Sequence, residues 1–378
     1  MSDLIVLTAK DVDSLVSKLD LEAALRSQGV VFEAYSNPSQ SEIPAIQTPQ
    51  RLNIQSEKAT SLFMPARVAG TGTACKVVSI PRNGGSEGLP ATTLVMDDEG
   101  KVRGIVNARK LTALRNACGE SSETQRHTLL TAGSAVFLRA CPTTEPSTNL
   151  VVFGSGAQAH SHASVFVRLF PSIKNVTFAV RSKNDRATSL VDSLQKAHSN
   201  VDFSLAMTLN SDGSKADLSV LVRAANIIVT VTSSTEALFP SSAVSPGTRL
   251  VLVGSYTPKM REIDDDLVRR AGIIVVDSKE ACGHEAGELI SAGIKDDQLI
   301  ELGTLVNDPD AAKTAGKGGD VVIFKSVSSD FAMIWLLRSS ANGQVGLGIQ
   351  DVAIAKLVFD DAEKKSIGSK ITGYDISS

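Results

Sequence analysis

The sequence is short of cysteine, short of aromatic residues and free of long runs of like charge, and each shortage excludes something. Its four cysteines, Cys75, Cys118, Cys141 and Cys282, stand far apart with no C-x-x-C pair. That spacing supplies neither a disulfide framework nor a zinc-ligand pattern, so reduced thiols and no metal are expected. Lysines and arginines are scattered, and the net charge of -3 gives no basic footprint for nucleic acid. No apolar run approaches the ~20 residues of a membrane span. The amino end, MSDLIVLTAKDVD, has an early acid and only a short apolar run, and the end GYDISS carries no lipidation or retention signal. No secretory leader and a cytoplasmic location are therefore expected. What is present is ordinary globular material: 42% apolar and 21% charged residues in 378 positions, enough for two domains with their own cores.

The first part, to about Arg126, reads as mixed α+β. Thr8 with Asp11 three residues on is a capping-box pattern that starts a helix, and LEAALRSQGVVFEAYS continues helically. The polar, Pro-containing SNPSQSEIPAIQTPQ is loop. RLNIQ, TSLFMPARV, ACKVVSI and TTLVMDDEGKVRGIV read as strands, the last as a hairpin with an acidic turn, before KLTALRNACGESSETQRHTLL returns to helix. From Asn149 the rhythm changes to strand alternating with helix: LVVFGS, NVTFAVR, NIIVTVT, RLVLVGS, GIIVVDS and DVVIFKS, with a weaker strand at FSLAM. Near-continuous apolar strands in that rhythm indicate an α/β, doubly wound parallel sheet. A final helix, GLGIQDVAIAKLVFDDAEKK, follows it.

The stretch LVVFGSGAQAHSHASVF reads as a buried strand, a glycine turn and the start of a helix. Gly154 and Gly156 occupy the first two glycine positions of G-x-G-x-x-G/A and Ala159 the third. Gly154 permits the tight turn, and Gly156 lets the backbone of Ser155, Ala157 and Gln158 approach phosphate. Ala159 is small enough for the helix to pack on its strand, with the helix N-terminus facing a pyrophosphate. At the end of the next strand Val180 stands where an NAD-binding chain commonly carries an acid, followed by Arg181, Ser182 and Lys183. A missing carboxylate beside a guanidinium suits a 2′-phosphate, so NADPH is favoured and NAD is the other option. His160 and His162, at i and i+2, do not share a helix face and read as ordinary helix residues. Cys282 and His284 read as part of a glycine-containing turn without further ligands.

Several stretches occur in one order: FMPARV, ACKVVSIPRN, GLPATTLVMDDEG, LTALRNACGESS, LVVFGSGAQAHSH, VGSYTPKMREIDDDLV, VVDSKEACGHEAGEL and IELGTLV. Through them the chain resembles the ornithine cyclodeaminase/mu-crystallin family over nearly its full length. The resemblance implies a Rossmann domain, residues 128–326, inserted in an α+β substrate-binding and dimerisation domain made of residues 1–127 and 345–378. It implies a homodimer acting on small amino acids or imino acids, with no nucleic-acid or membrane partner. It places Arg51, Lys76 and Arg115 as the cations that grip the substrate carboxylate, with Lys76 also a catalytic proton donor. It extends the cofactor site to Thr230, Val231, Thr232, Val253 and Tyr256. Cyclodeaminases of the family carry a catalytic Asp where this chain has Tyr256. A tyrosine, with a pKa near ~10, is a poor base at neutral pH. The resemblance therefore points to the imine-reducing branch, ketimine or pyrroline-2-carboxylate reduction, with cyclodeamination of ornithine and cofactor storage without turnover as the alternatives.

One stretch departs from the family pattern. Removing residues 327–344 from FKSVSSDFAMIWLLRSSANGQVGLGIQD leaves FKSVGLGIQD, which restores it. The first two residues of the removed piece can be encoded by GTAAGT and its last by CAG, the ends of a spliceosomal intron, so a retained in-frame intron is one expectation. An added apolar helix over DFAMIWLLR is the other.

Overall fold

The computed structural model describes residues 3–16, 18–36, 43–49, 52–81, 90–108, 130–143, 145–308, 310, 320–327 and 348–374. The chain divides into two units, Met1–Leu129 with Leu347–Ser378, and Leu130–Gly346. Among the described residues no helix is long and apolar enough to cross a membrane.

In the first unit β1 (Leu4–Leu7) leads into α1 (Ala9–Val16). Thr8 N and Oγ1 donate to the Asp11 carboxylate at 2.9 and 2.6 Å, and Asp11 N donates to Thr8 Oγ1 at 3.3 Å. Those bonds form the capping box that starts the helix. After α2 (Leu21–Ser36) come β2 (Ile46–Gln47), β3 (Leu52–Gln55), β4 (Ala59–Val68), β5 (Gly72–Pro81), β6 (Ala91–Met96) and β7 (Val102–Asn107). The C-terminal helix Gly348–Lys365 and the strand Ser369–Ile371 belong to the same unit. The sheet runs Ser369–Ile371, β1, β7, β6, β5, β4, β2, with β3 also paired to β4, and only β1 with β7 is parallel. The β6–β7 hairpin turns in its acidic stretch through Gly100 at φ +82°. Leu7, Val12, Leu15, Val106, Val358 and Phe359 share one core, each burial stabilising by about 1.5–3 kcal/mol. Gly104 is obligatory there, because a Cβ on it would lie 2.5 Å from the Phe359 ring.

The second unit opens with α3 (Leu130–Ala140) and then alternates. The series is β8 (Asn149–Phe153), α4 (Ala157–Leu169), β9 (Asn175–Val180), α5 (Asp185–Ala197), β10 (Asp202–Met207), α6 (Ser219–Ala224) and β11 (Ile227–Thr230). It continues with β12 (Arg249–Leu252), α7 (Asp265–Arg270), β13 (Ala271–Val276), α8 (Lys279–Glu285), α9 (Gly287–Ala292), β14 (Leu299–Glu301), α10 (Leu302–Asn307) and β15 (Val321–Lys325). Every pairing is parallel, in the order β10-β9-β8-β11-β12-β15-β13-β14. This is the doubly wound sheet expected from the alternating apolar runs. Its order reverses between β8 and β11, which opens a crevice at their carboxyl ends, where such sheets bind ligands.

Like Lys325 at the end of β15, Arg249 is a buried cation in an apolar strand. It is almost wholly buried at the start of β12 and donates to the carbonyls of Cys141 (2.8 Å), Pro142 (2.5 Å) and Gly247 (2.9 Å). It thereby satisfies main-chain acceptors just past the end of α3. Val327, the first residue of the interrupted stretch, is buried in the core of this sheet. Residues 328–344, the rest of that stretch, lie outside the described residues.

Candidate functional site

The glycine turn joins β8 to α4. Gly154 adopts φ +125°, a conformation open to glycine, and a Cβ on it would lie 3.1 Å from Val231 Cγ2 and 3.2 Å from Val231 O. Gly156 is the N-cap of the 13-residue α4 and, being glycine, brings no side-chain acceptor to the first-turn amides. Gln158 Oε1 is closed off from solvent just inside that helix start and, among the described residues, has no hydrogen-bond partner. A cradle that a Cβ would fill and an uncapped helix start, whose first-turn N–H groups need acceptors, together fit a bound pyrophosphate.

Of the residues expected around a dinucleotide, the structure brings Gly154 against Val231 and Thr232. Ser155, Ala157 and Gln158 complete the turn, and Val253 N donates to Thr230 O at 2.9 Å, so the ends of β11 and β12 run together. Thr230 sits beneath the site: it is fully buried and its hydroxyl donates to Glu262. Tyr256 is partly buried, and burial pushes its hydroxyl above the ordinary value of 10, so at neutral pH it carries its proton and is no base. Arg181 and Ser182 are exposed at the end of β9. A second cation stands nearby. Arg186, in the first turn of α5, holds a guanidinium nitrogen 3.0 Å from the point a Gly156 Cβ would occupy.

In the first unit Lys76 lies on β5, paired in register with Met64 of β4 and Thr93 of β6. It is only 3% exposed, and its Nζ donates to Asp351 Oδ1 at 3.0 Å, in the first turn of the C-terminal helix. Asp351 is 12% exposed. Arg51 and Arg115, the other two cations expected at a substrate carboxylate, lie outside the described residues.

Two histidines and a cysteine prove to be framework. His162 Nδ1 is 2.8 Å from Gln158 O and Nε2 is 3.0 Å from Ser134 Oγ, so the ring bridges α4 to α3. Burial pushes His162 and His160 down to about 4, so both are neutral at physiological pH. The turn expected around Cys282 and His284 is instead the helix α8. Ser278 Oγ accepts from Ala281 N at 3.2 Å and caps it, and Gly283 is absorbed into its interior. The Cys282 thiol is buried, donates to Asp277 Oδ1 at 3.5 Å, and is pushed well above its ordinary value by burial and by that carboxylate, which makes it inert. No group of three His, Cys, Asp or Glu among the described residues is placed to hold a metal ion.

Sequence reasoning missed Asp351, Arg186 and a buried charge cluster under the ends of β11 and β12. In that cluster Lys325 Nζ donates to Ser255 O (2.7 Å) and Ser255 Oγ (2.8 Å) and pairs with Glu288 Oε1 at 3.3 Å. Ser255 Oγ in turn donates to Glu288. The quoted stretches REIDDDLV and GLGIQD do contain Glu262 and Asp351. Their partners, however, are main-chain N–H groups, two threonine hydroxyls and a lysine on other elements, which no local spacing announces.

A model of the ornithine cyclodeaminase/mu-crystallin family matches residues 5–366. An uncharacterized cyclodeaminase of Dictyostelium discoideum is 27% identical over 333 residues, 83% of this chain and 82% of that protein. The ketimine reductase mu-crystallin of Mus musculus is 28% identical over 211 residues, 56% of this chain, and the match spans about half of that protein, 54%. Among solved structures, the iminosuccinate reductase of Paracoccus denitrificans in complex with NAD+ superposes with a TM-score of 0.73 at 21% identity. The match covers 98% of this chain and 99% of that one, a likeness of fold.

Proposed function

We propose that this chain, which belongs to the ornithine cyclodeaminase/mu-crystallin family, reduces the C=N bond of a ketimine carboxylate to an L-amino acid, with NADPH preferred over NADH. Pyrroline-2-carboxylate and piperideine-2-carboxylate are the candidate substrates. The protein is an oxidoreductase acting on C=N bonds, the chemistry that names its mu-crystallin relative. The observation that carries the reading is the pair Lys76–Asp351. It is an ammonium almost closed off from water, held at 3.0 Å beside a carboxylate that keeps some solvent access.

When bound, the reduced nicotinamide supplies the hydride that reaches the imine carbon. The protein's own residues do the rest. The first-turn amides of α4 and the bare turn at Gly154 and Gly156 hold the pyrophosphate, and Arg181 with Arg186 meets the 2′-phosphate. Lys76, with Arg51 and Arg115, grips the substrate carboxylate and fixes the imine carbon in orientation. Lys76 Nζ gives a proton to the imine nitrogen as its C=N electron pair moves onto nitrogen, and Asp351, which accepts from Nζ at 3.0 Å, holds the ammonium in place. Cyclodeamination would need a base where Tyr256 stands, and its raised pKa argues against one.

Residues 327–344 are read as a translated intron. Excision would place Val345 directly after Ser326, a valine where the buried Val327 now lies. The homodimer implied by the family belongs to the same reading. The test follows NADPH absorbance after addition of pyrroline-2-carboxylate to the protein with and without residues 327–344. Oxidation is expected, faster in the shorter form. Ammonia release from ornithine with NAD, and no oxidation by either imine, would overturn it.

A further inference from the structure

A dinucleotide with its pyrophosphate at the start of α4 and its adenosine ribose at the end of β9 must send its nicotinamide half the other way, over the ends of β11 and β12. Those two ends are tied together by one side chain. Glu262, fully buried, follows β12. Its Oε1 accepts from Thr232 N and Thr232 Oγ1, both at 2.7 Å. Its Oε2 accepts from Gly254 N and Thr230 Oγ1, both at 2.8 Å. Each carboxylate oxygen thus takes one main-chain N–H and one hydroxyl, and the two N–H groups come from different loops. The loops meet without room to spare. A Cβ on Gly254 would lie 2.1 Å from Thr232 O and 2.4 Å from Glu262 Oε1. On its other side the 231–232 segment packs against Gly154. The glycine turn, the loop after β11 and the loop after β12 form one layer, with Glu262 beneath it.

We infer that Glu262 is a positioning residue for the nicotinamide half of the site, a two-oxygen acceptor that sets the separation of the loops at 230–232 and 253–256. This rests on the dinucleotide reading above. The chemistry demands a carboxylate and not merely a shape. Glutamine has the same outline, but one of its two ends is an NH2 group. Whichever way it turns, that group faces a main-chain N–H, of Thr232 or of Gly254, and a buried donor then confronts a donor. Burial pushes the Glu262 carboxyl up, while the charge of Lys325 pulls it down, so the cation under the cluster helps keep both oxygens as acceptors.

The experiment compares two probes on the full chain. NADH reports on the whole dinucleotide site through its fluorescence, and ADP-ribose, which lacks the nicotinamide, reports on the other half through competition or calorimetry. Glu262→Gln is expected to raise the Kd of NADH about tenfold or more, and to lower kcat for imine reduction, while ADP-ribose binding stays within about twofold. Thr230→Val removes one hydroxyl and leaves the main-chain bonds, so it covers the case in which the glutamine variant does not fold. It should move NADH alone by about threefold. Unchanged NADH binding and kcat in folded variants would overturn the clamp while leaving the dinucleotide reading intact. Equal losses for NADH and ADP-ribose would overturn it too, since a general loosening moves both. A wild-type protein that binds neither NADH nor NADPH would overturn the dinucleotide reading and this inference with it.

Discussion

Two buried lysines, one in each unit, are each paired with a carboxylate, and the pairs differ in one respect. Lys325 and Glu288 are both 0% exposed, and the ammonium is enclosed by the carbonyl and hydroxyl of Ser255 as well as by its partner. Lys76 is nearly as buried at 3%, but its partner Asp351 is 12% exposed. A sealed pair has no route to a ligand and can act only through the framework it holds. A pair with one reachable member can meet a substrate. Burial of charge is therefore a poor guide to function until the exposure of the partner is known.

The sharpest way to break the comparison is Lys325→Met. It leaves Glu288 and Glu262 buried without their cation, a loss of about 3–5 kcal/mol. In a unit of this size that lowers the melting temperature by about 10 °C. Thermal unfolding followed by circular dichroism reads it, and an unchanged melting temperature would show the pair is not sealed structure. Lys76→Met should invert the pattern. Loss of the carboxylate grip and the proton donor is expected to lower kcat/KM about 10²–10³-fold, with a melting temperature that falls by less than half as much as in the Lys325 variant. Equal effects on melting in the two variants would erase the distinction.

A third measurement asks whether sealed groups reveal themselves through pH. His162 and His160 have folded-state pKa values of about 4 against an ordinary 6.5. Below 6.5 the unfolded chain takes up protons that the folded chain refuses until about 4. Their stabilisation is thus complete above pH 6.5 and is lost as pH falls through that window, about 2–3 kcal/mol for His162. Urea midpoints at pH 7 and pH 4.5 for the wild type and His162→Gln should differ in slope, the variant being flatter. Parallel lines would place His162 in contact with solvent.

The same division between local and distant partners explains what was legible in the sequence. The strands β8, β11, β12 and β15 announce themselves as unbroken apolar runs, and the turn at Gly154 and Gly156 by the strand before it and the helix after it. β14 has three residues and follows a polar DDQ, and the C-terminal strand Ser369–Ile371 is wholly exposed, so neither carries a hydrophobic pattern. Gly283 suggested a turn because glycine often ends helices, but the Ser278 cap upstream prevails. Glu262 was illegible for a different reason. Its donors at 230 and 232 lie 32 and 30 positions earlier, and two of its four bonds are to main chain, which any residue could supply.

The smallest expected effect concerns cations that are exposed from the start. Arg181 follows β9 and Arg186 lies in the first turn of α5, and it is Arg186 whose guanidinium folding brings to the space beside Gly156. A 2′-phosphate adds two negative charges to the adenosine ribose, and a guanidinium that meets it in water contributes about 1–1.5 kcal/mol, far less than a buried pair would lose on disruption. Arg186→Ala should therefore raise the KM for NADPH about five- to tenfold and leave the KM for NADH within about twofold. Salt separates this from a packing effect. The wild-type preference for NADPH should shrink between low and high ionic strength, because exposed charges are screened over about 10 Å at 0.1 M, whereas the consequences of Lys76→Met should not change with salt. A variant that loses NADH and NADPH equally would mean that Arg186 serves the pyrophosphate at the turn and does not discriminate the ribose, which would leave Arg181 as the residue to test next.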